Sequence, residues 1–321
     1  MGLYEGLRTV AGAGGTGAID WDAAVDAAKA ATDPGDVSLS AAEKAAYADD
    51  VVAARDALRM ATNTDFDVPD TIQVQSRHHW IDANAATFRR VLAPLDERPS
   101  RFPNAMRRVN TGTMAASLGY LARNVLGQYD PLLLSEGGDG RDLYFVHPNI
   151  ESAAANLDVD GDRFRRWIAF HEVAHVAEFE MAPWLSNYLA ERMQAGLDDL
   201  GTGELDFESG PLGELDAAMT VVEGYAELLM DRAFDDEAAD LRAKLDERRE
   251  GGGPLTRLFR RALGIGLKRR QYERGRAFFD AVVDDGGMAA ARTVWESPET
   301  VPTSAELDEP ARWLARVQNR T

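Results

Sequence analysis

The sequence predicts a mainly α fold with a small β-sheet, of the α+β class. Apolar residues recur at helical spacing through most of the 321-residue chain, and only two short stretches read as strands. The composition, 45% hydrophobic and 28% charged, is typical of a globular protein with a sizeable core. We therefore expect one large helical domain that contains a short sheet.

The N-terminal elements are predicted from glycine content and helical pattern. Residues 1–17 are rich in glycine and predict a flexible leader; their G-x-G-x-x-G spelling lacks the strand that a dinucleotide loop requires. A single domain is expected over 18–320, divided into an N-terminal helical part at 18–135 and a C-terminal helical part with the candidate site at 136–320. Ser40 and Glu43 form a capping box at a helix start.

Two strands and a series of helices follow. Thr71–Gln75 alternates apolar and polar residues, and Leu143–Val146 is continuously apolar, so both predict strands. Helices are expected between them at Trp80–Val91 and Asn110–Gly127. Beyond Asp162 nearly the whole chain predicts helix, in segments near 163–181, 184–197, 212–234, 236–249, 254–263, 267–285 and 287–296.

Charge and targeting signals limit the location and the partners. The net charge is −19, from 54 acidic and 35 basic residues, and only four of the basic residues are lysine. This composition is typical of a high-salt, haloarchaeal-type cytoplasm and argues against nucleic-acid binding. The sequence has neither a signal peptide pattern nor a membrane-spanning run, so we expect a cytoplasmic protein with no membrane partner. Oligomeric state is not indicated.

One stretch reverses the overall charge. Residues 242–276 contain twelve basic and four acidic residues. Two interpretations are open. The arginines pair with the acidic remainder of the chain, or they form a positive rim that contacts an acidic substrate or partner.

The chain has no cysteine and five histidines, so a metal would have to be held by His, Asp or Glu. His171-Glu172-Val-Ala-His175 has the H-E-x-x-H pattern, inside an apolar helical run that Pro183 ends. Residues four apart share a helix face, so both imidazoles can bind one ion, and Glu172 can polarise a metal-bound water. The pattern predicts a metallohydrolase, with a chance pair of histidines as the alternative.

A catalytic Zn²⁺ usually has three protein ligands. Glu223 lies in the middle of an apolar helical stretch and is the best third candidate, giving a His-His-Glu site. Glu227, one turn later, would orient His171 or His175. The alternative for both glutamates is an exposed face of an amphipathic helix. Gly224 predicts close packing against the helix of the two histidines.

Several stretches outside the motif are also distinctive: Trp80–Asn84 with Phe88, Leu126–Pro131, Val146–Ile150, Trp167–His175, Phe179 with Pro183–Leu185, Glu223-Gly224 and Trp295–Glu299. In these stretches the chain resembles the zincin-like metallopeptidase type 2 family, which includes proteins associated with biosynthesis of coenzyme F-420. The resemblance extends from about Asp20 to Val317. It implies a zincin-like fold with His171 and His175 as zinc ligands, Glu172 as catalytic acid/base and Glu223 as third ligand.

One departure from the family concerns the second helix. The family often has Glu-Gly-His-Ala-Asp where this chain has Glu223-Gly-Tyr225-Ala-Glu227. If that histidine contacts the oxyanion, Tyr225 would have to replace it. His147, after the second strand, is the other candidate for contact with substrate or oxyanion.

Three functions remain open from the sequence. The first is a zinc peptidase that cleaves a peptide substrate by a zinc-activated water. The second is a non-proteolytic amide hydrolase of deazaflavin coenzyme metabolism. The third is a catalytically silent scaffold that binds a partner.

Overall fold

The structure, a computed structural model, confirms the mainly α fold with a small sheet. It describes residues 2–93, 103–129, 142–202, 210–234, 241, 244 and 265–319. No helix in this part of the chain is long and apolar enough to cross a bilayer. Twelve helices are described: α1 Gly2–Ala11, α2 Trp21–Ala30, α3 Ala41–Thr62, α4 Arg77–Val91, α5 Pro103–Ala122, α6 His147–Leu157, α7 Gly161–Met181, α8 Leu185–Thr202, α9 Pro211–Ala233, α10 Ile265–Arg292, α11 Ser304–Asp308 and α12 Pro310–Gln318.

The sheet has three strands, β1 (Thr71–Gln75), β2 (Gly127–Tyr129) and β3 (Asp142–Val146), in the order β1-β3-β2. β3 is central. It runs parallel to β1, with Thr71 opposite Asp142, and antiparallel to β2. The central position explains why β3 reads as a continuous apolar run, since its residues 143–146 are all buried.

The described chain divides into two compact units. Unit 1 comprises Met1–Ala46 and Pro69–Gly161, and unit 2 comprises Tyr47–Val68 and Asp162–Thr321. The expected division lies at 135/136, whereas the boundaries between these units lie at 46/47, within α3, at 68/69 and at 161/162. Helix α3 continues through its boundary, so no glycine or proline marks it in the sequence.

Unit 1 contains the sheet and α1, α2 and α4–α6. Its N-terminus differs from the expected flexible leader, because residues 2–11 form α1. The physical reason is packing, which the glycine content of the sequence does not indicate. Val10 packs against a buried alanine cluster of α2 and α5. Gly6 lies close to α2, where an added Cβ would be 3.2 Å from the carbonyl oxygen of Ala27.

Unit 2 contains most of α3 together with α7–α12. Tyr47 begins this part of α3 and is buried, with the guanidinium of Arg165 5.4 Å from its ring centroid. Arg165 of α7 also donates to Asp50 across 2.7 Å. These contacts fix α3 to α7, the helix that carries the two histidines of the motif.

Helices α9 and α10 cross at two glycines. A Cβ at Gly224 of α9 would lie 2.5 Å from the carbonyl carbon of Gly275 in α10, so only glycine allows this approach. The expectation that Gly224 packs against the histidine helix is therefore wrong, because its contact is with α10. The predicted segments 236–249 and 254–263 lie almost entirely outside the described residues.

Candidate metal centre

Helix α7 places His171 and His175 one turn apart on the same face, and Glu172 directly follows His171. It begins at Gly161 and ends at Met181, two residues before Pro183, which cannot continue a helix. The Nε2 atoms of His171 and His175 lie 3.3 Å apart, and the ring planes are inclined by 81°. Trp167, one turn earlier, stacks on the His171 ring with centroids 5.8 Å apart. The two imidazoles therefore converge on one point.

Glu223 approaches that point from α9. Its Oε2 lies 3.9 Å from Nε2 of His171 and 3.9 Å from Nε2 of His175. Residues 220–230 of α9 are all buried, including Glu223 and Glu227. The exposed-face alternative for these two glutamates is therefore wrong.

The donor set fits a zinc ion. Zinc bonds of about 2.0–2.2 Å in tetrahedral geometry put neighbouring ligand atoms about 3.3–3.6 Å apart. The three separations here are 3.3, 3.9 and 3.9 Å, and the ligand atoms of His171, His175 and Glu223 all lie within 4.8 Å of one another. Two imidazole nitrogens and one carboxylate oxygen, in the absence of thiolates, are ligands typical of catalytic zinc sites.

Glu178, which the sequence reasoning missed, contacts one candidate ligand directly. Its Oε2 lies 2.9 Å from Nδ1 of His175, and its side chain is fully buried. Burial by itself would lower the pKa of His175, but the charge and hydrogen bond of Glu178, together with the charges of Glu223 and Glu172, outweigh it, so the pKa of His175 is raised. Burial raises the pKa of Glu178, and His175 opposes that rise. An acidic residue three positions after a motif histidine, in an apolar run, is the signal that could have revealed it.

Glu172 lies beside the ligand pair on α7 and is 7% exposed. Its charge is one of those that raise the pKa of His175, so it lies within electrostatic range of the site. A buried carboxylate next to the metal-ligating positions can accept and donate a proton there.

The remaining candidate residues are placed as follows. Glu227 is buried on α9, one turn after Glu223. The Nδ1 atom of His175 is contacted by Glu178. The role of Glu227 in orienting His171 or His175 stays a prediction. Tyr225 is fully buried, and its ring packs edge-on against Phe279 and Trp295. His147 is the first residue of α6 and belongs to unit 1, whereas the three candidate ligands all belong to unit 2.

Tyr225 packs in the aromatic core of unit 2. Positions two apart on a helix project about 200° from each other, so Tyr225 and Glu223 lie on different faces of α9. Burial raises the pKa of the Tyr225 phenol well above its ordinary value, and the charge of Glu178 adds to this. A contact of Tyr225 with the oxyanion stays a prediction.

The basic segment is described only in part. Residues 242–243 and 245–264 lie outside the described residues. Within the described part, Arg274 pairs with Asp308 through two bonds of 2.6 and 2.7 Å, and Arg276 pairs with Asp231 at 2.8 Å. For these two arginines the pairing interpretation is supported.

Comparisons with known proteins identify the family of the chain. The model of a family described as zincin-like metallopeptidase matches residues 19–209 and 206–314. A similar solved structure comes from Chloroflexus aurantiacus and is described as a "putative hydrolase with a novel fold". It is 30% identical, with a TM-score of 0.77, and the match covers 94% of this chain and 99% of that one. No curated protein matches the chain. Because the family model spans nearly the whole sequence, the chain belongs to the zincin-like metallopeptidase family.

Proposed function

We propose that this protein is a zinc-dependent metallohydrolase that cleaves an amide bond, most specifically a peptidase. The observation that carries the proposal is the convergence of His171 Nε2, His175 Nε2 and Glu223 Oε2 beside Glu172. Family membership and the hydrolase description of the similar structure support the same class.

Each residue of the site has a role set by its chemistry. His171, His175 and Glu223 would hold the ion, and Glu223 would be its one anionic ligand. When bound, zinc supplies Lewis-acid chemistry: it polarises a carbonyl and lowers the pKa of water. Glu172 accepts the proton of the attacking water and delivers it to the leaving amine. His147 stays a prediction as the donor to the oxyanion.

Substitutions in the motif separate metal binding from catalysis. His171→Ala and His175→Ala should each lose the bound metal, because each removes one of three ligands. Glu172→Gln should retain the metal and lose hydrolysis, because an amide cannot accept the proton. Metal content by elemental analysis and turnover of a mixed peptide library measure the two properties, with exposed His79→Ala as the matched control.

The outcomes also separate the alternative functions. Peptide turnover that Glu172→Gln abolishes supports the peptidase. Turnover of other amides alone would identify the non-proteolytic hydrolase, and stoichiometric metal without any turnover would identify a partner-binding scaffold. Full activity of Glu172→Gln would contradict the assignment of the acid/base. Cytoplasmic location, adaptation to high salt and association with coenzyme F-420 stay predictions from composition and resemblance.

A further inference from the structure

A fully buried carboxylate in α7 lies behind one of the candidate ligands. Glu178 is 0% exposed, and its Oε2 is 2.9 Å from Nδ1 of His175. The same imidazole directs its other nitrogen, Nε2, toward His171 and Glu223. One ring therefore links Glu178 to the metal-binding atoms.

The hydrogen bond determines which nitrogen of His175 is available to a metal. A neutral imidazole carries one proton, and the nitrogen that binds a metal must be the one without it. Because a carboxylate accepts only, Nδ1 keeps the proton and donates it to Glu178. Nε2 then has its lone pair directed at the position that His171 and Glu223 also face.

The second oxygen of Glu178, Oε1, is buried as well and has no hydrogen-bond partner of good geometry within the described part of the chain. The imidazole of His175 and the backbone N–H of Ala226 in α9 both lower the pKa of Glu178, against the larger opposing effect of burial. An ionised carboxylate in this position is costly unless a cation compensates it. A divalent ion at the ligand atoms would provide that compensation, since two anions, Glu223 and Glu178, would neutralise its charge.

We infer that Glu178 is the positioning residue of the metal site: it fixes the tautomer and orientation of His175 and increases the affinity for zinc. The inference rests on the proposed function and deepens it. Carboxylates that accept from ligating histidines typically contribute about 10–100-fold in metal affinity or activity. His171 is oriented by a different kind of contact, the stacked ring of Trp167.

The test compares Glu178→Ala, Glu178→Gln and the control Glu180→Ala, which changes a partly exposed acid of the same helix. Zinc affinity is measured by competition with a chelator. The Nδ1–H proton of His175 is observed by NMR in zinc-loaded protein with ¹⁵N-labelled histidine, and circular dichroism checks folding. This proton reports the hydrogen bond itself, independently of catalysis.

Glu178→Ala should bind zinc about 10–100-fold more weakly and lose the protected Nδ1–H signal. Glu178→Gln retains an acceptor oxygen, so it should recover the signal and part of the affinity, and Glu180→Ala should match the wild type. If all three variants bind zinc as the wild type does, with an unchanged signal, the inference is overturned while the metal site stands. If the wild type binds no zinc, both the proposed function and the inference are overturned. If Glu178→Ala does not fold, the test is made on Glu178→Gln. A zinc affinity equal to that of the wild type in Glu178→Gln, together with loss of the Nδ1–H signal of His175, would overturn the inference.

Discussion

At the residue scale, the candidate site combines two ligands from one helical turn with a third from a different helix. His171 and His175 need only α7 to bring them together, whereas Glu223 needs α9 to pack correctly. Glu227 lies on α9 as well and is equally buried, at 5% exposure against 4% for Glu223. The two glutamates therefore differ in contacts rather than in environment, which makes them a matched pair.

Glu223→Ala should weaken metal binding much more than Glu227→Ala does. The first substitution removes an atom that lies 3.9 Å from both imidazole nitrogens, whereas the second leaves all three ligand atoms in place. Titration of the loaded protein with a chelator ranks the two variants. A weaker metal affinity in Glu227→Ala than in Glu223→Ala would exchange their roles.

The residues of the site were predictable to the extent that their contacts are local. H-E-x-x-H on a helix predicted that His171 and His175 lie together, and a lone acid in an apolar helix predicted that Glu223 joins them. An acid three positions after a motif histidine was the only signal for Glu178, because its contact with His175 depends on side-chain rotamers that the sequence does not show. The packing of Tyr225 in the aromatic core was not predicted, because the sequence does not show which face of α9 meets α10.

At the element scale, the α9–α10 crossing controls where Glu223 lies. Gly224 directly follows Glu223, and Gly275 faces it from α10 at a distance that excludes any side chain. A displacement of α9 at this crossing would move the carboxylate away from the two histidines of α7. The glycine pair thus connects helix packing to the metal site.

Gly224→Ala should destabilise the protein and lower its metal affinity. The added Cβ would be 2.5 Å from backbone of α10, and such overpacking costs about 1–3 kcal/mol or more. This exceeds the gain of about 1 kcal/mol in helix propensity. Thermal unfolding and chelator titration measure both effects.

The control for this variant is Gly112→Ala in α5, where the added Cβ meets a single methyl of Val10 at 3.3 Å. Here the neighbour is one methyl of a side chain rather than backbone, and it needs to shift by only a few tenths of an ångström, so the variant should be about as stable as the wild type. Wild-type stability and metal affinity in Gly224→Ala would show that the crossing does not control the site.

The C-terminal helices are joined by a partly buried ion pair. Arg316 of α12 donates to both carboxylate oxygens of Glu306 in α11, across 2.6 and 2.9 Å. Thr303 caps α11 and also donates to Glu306. Burial by itself raises the pKa of Glu306, but the hydrogen bonds from Arg316 and Thr303 outweigh it, so the pKa is lowered from its ordinary 4.5.

Glu306→Gln should reduce stability at pH 7, by up to about 3 kcal/mol, because charged hydrogen bonds are lost. A lowered pKa in the folded state means that the carboxylate stabilises the protein above pH 4.5, and that this contribution disappears as the pH falls through the folded pKa. The stability difference between variant and wild type should therefore shrink below pH 4.5. Unfolding in denaturant at a series of pH values checks this.

The matched control is Glu309→Gln, which affects an exposed pair with Arg312 and should change stability by less than about 1 kcal/mol. A pH-independent difference for Glu306→Gln would contradict the role of its charge.

Elements were predictable where their pattern was long or strongly alternating. β1 begins and ends at the expected residues, and the Ser40–Glu43 capping box forms as expected. The helix expected to end at Gly127 ends at Ala122 instead, because Gly127–Tyr129 pairs with β3. Three residues are too few to display strand alternation. Helices α6, α11 and α12 were not predicted, since short helices contain few repeats of an apolar pattern.

At the scale of the whole molecule, the net charge of −19 opposes the compact state through self-repulsion. Raising KCl from 0.1 to 1 M shortens the screening length from about 10 Å to about 3 Å, so the melting temperature should rise. Near pH 4.7, the pI of the sequence, the net charge is small and the same KCl series should have much less effect. Scanning calorimetry measures both series, and equal slopes at the two pH values would contradict the electrostatic explanation.

The division of unit 2 into two stretches of chain has a consequence for biosynthesis. Asp50 and Arg165 bond to each other although 115 residues separate them. At about 5–20 residues per second, α3 leaves the ribosome roughly 6–23 s before α7 does. During that interval the apolar side of α3, with Val51, Ala54 and Leu58, has not yet met its packing partner in unit 2. Helix α7 therefore completes a unit whose first segment was synthesised long before it, so assembly of the candidate site is a late event in the life of the nascent chain.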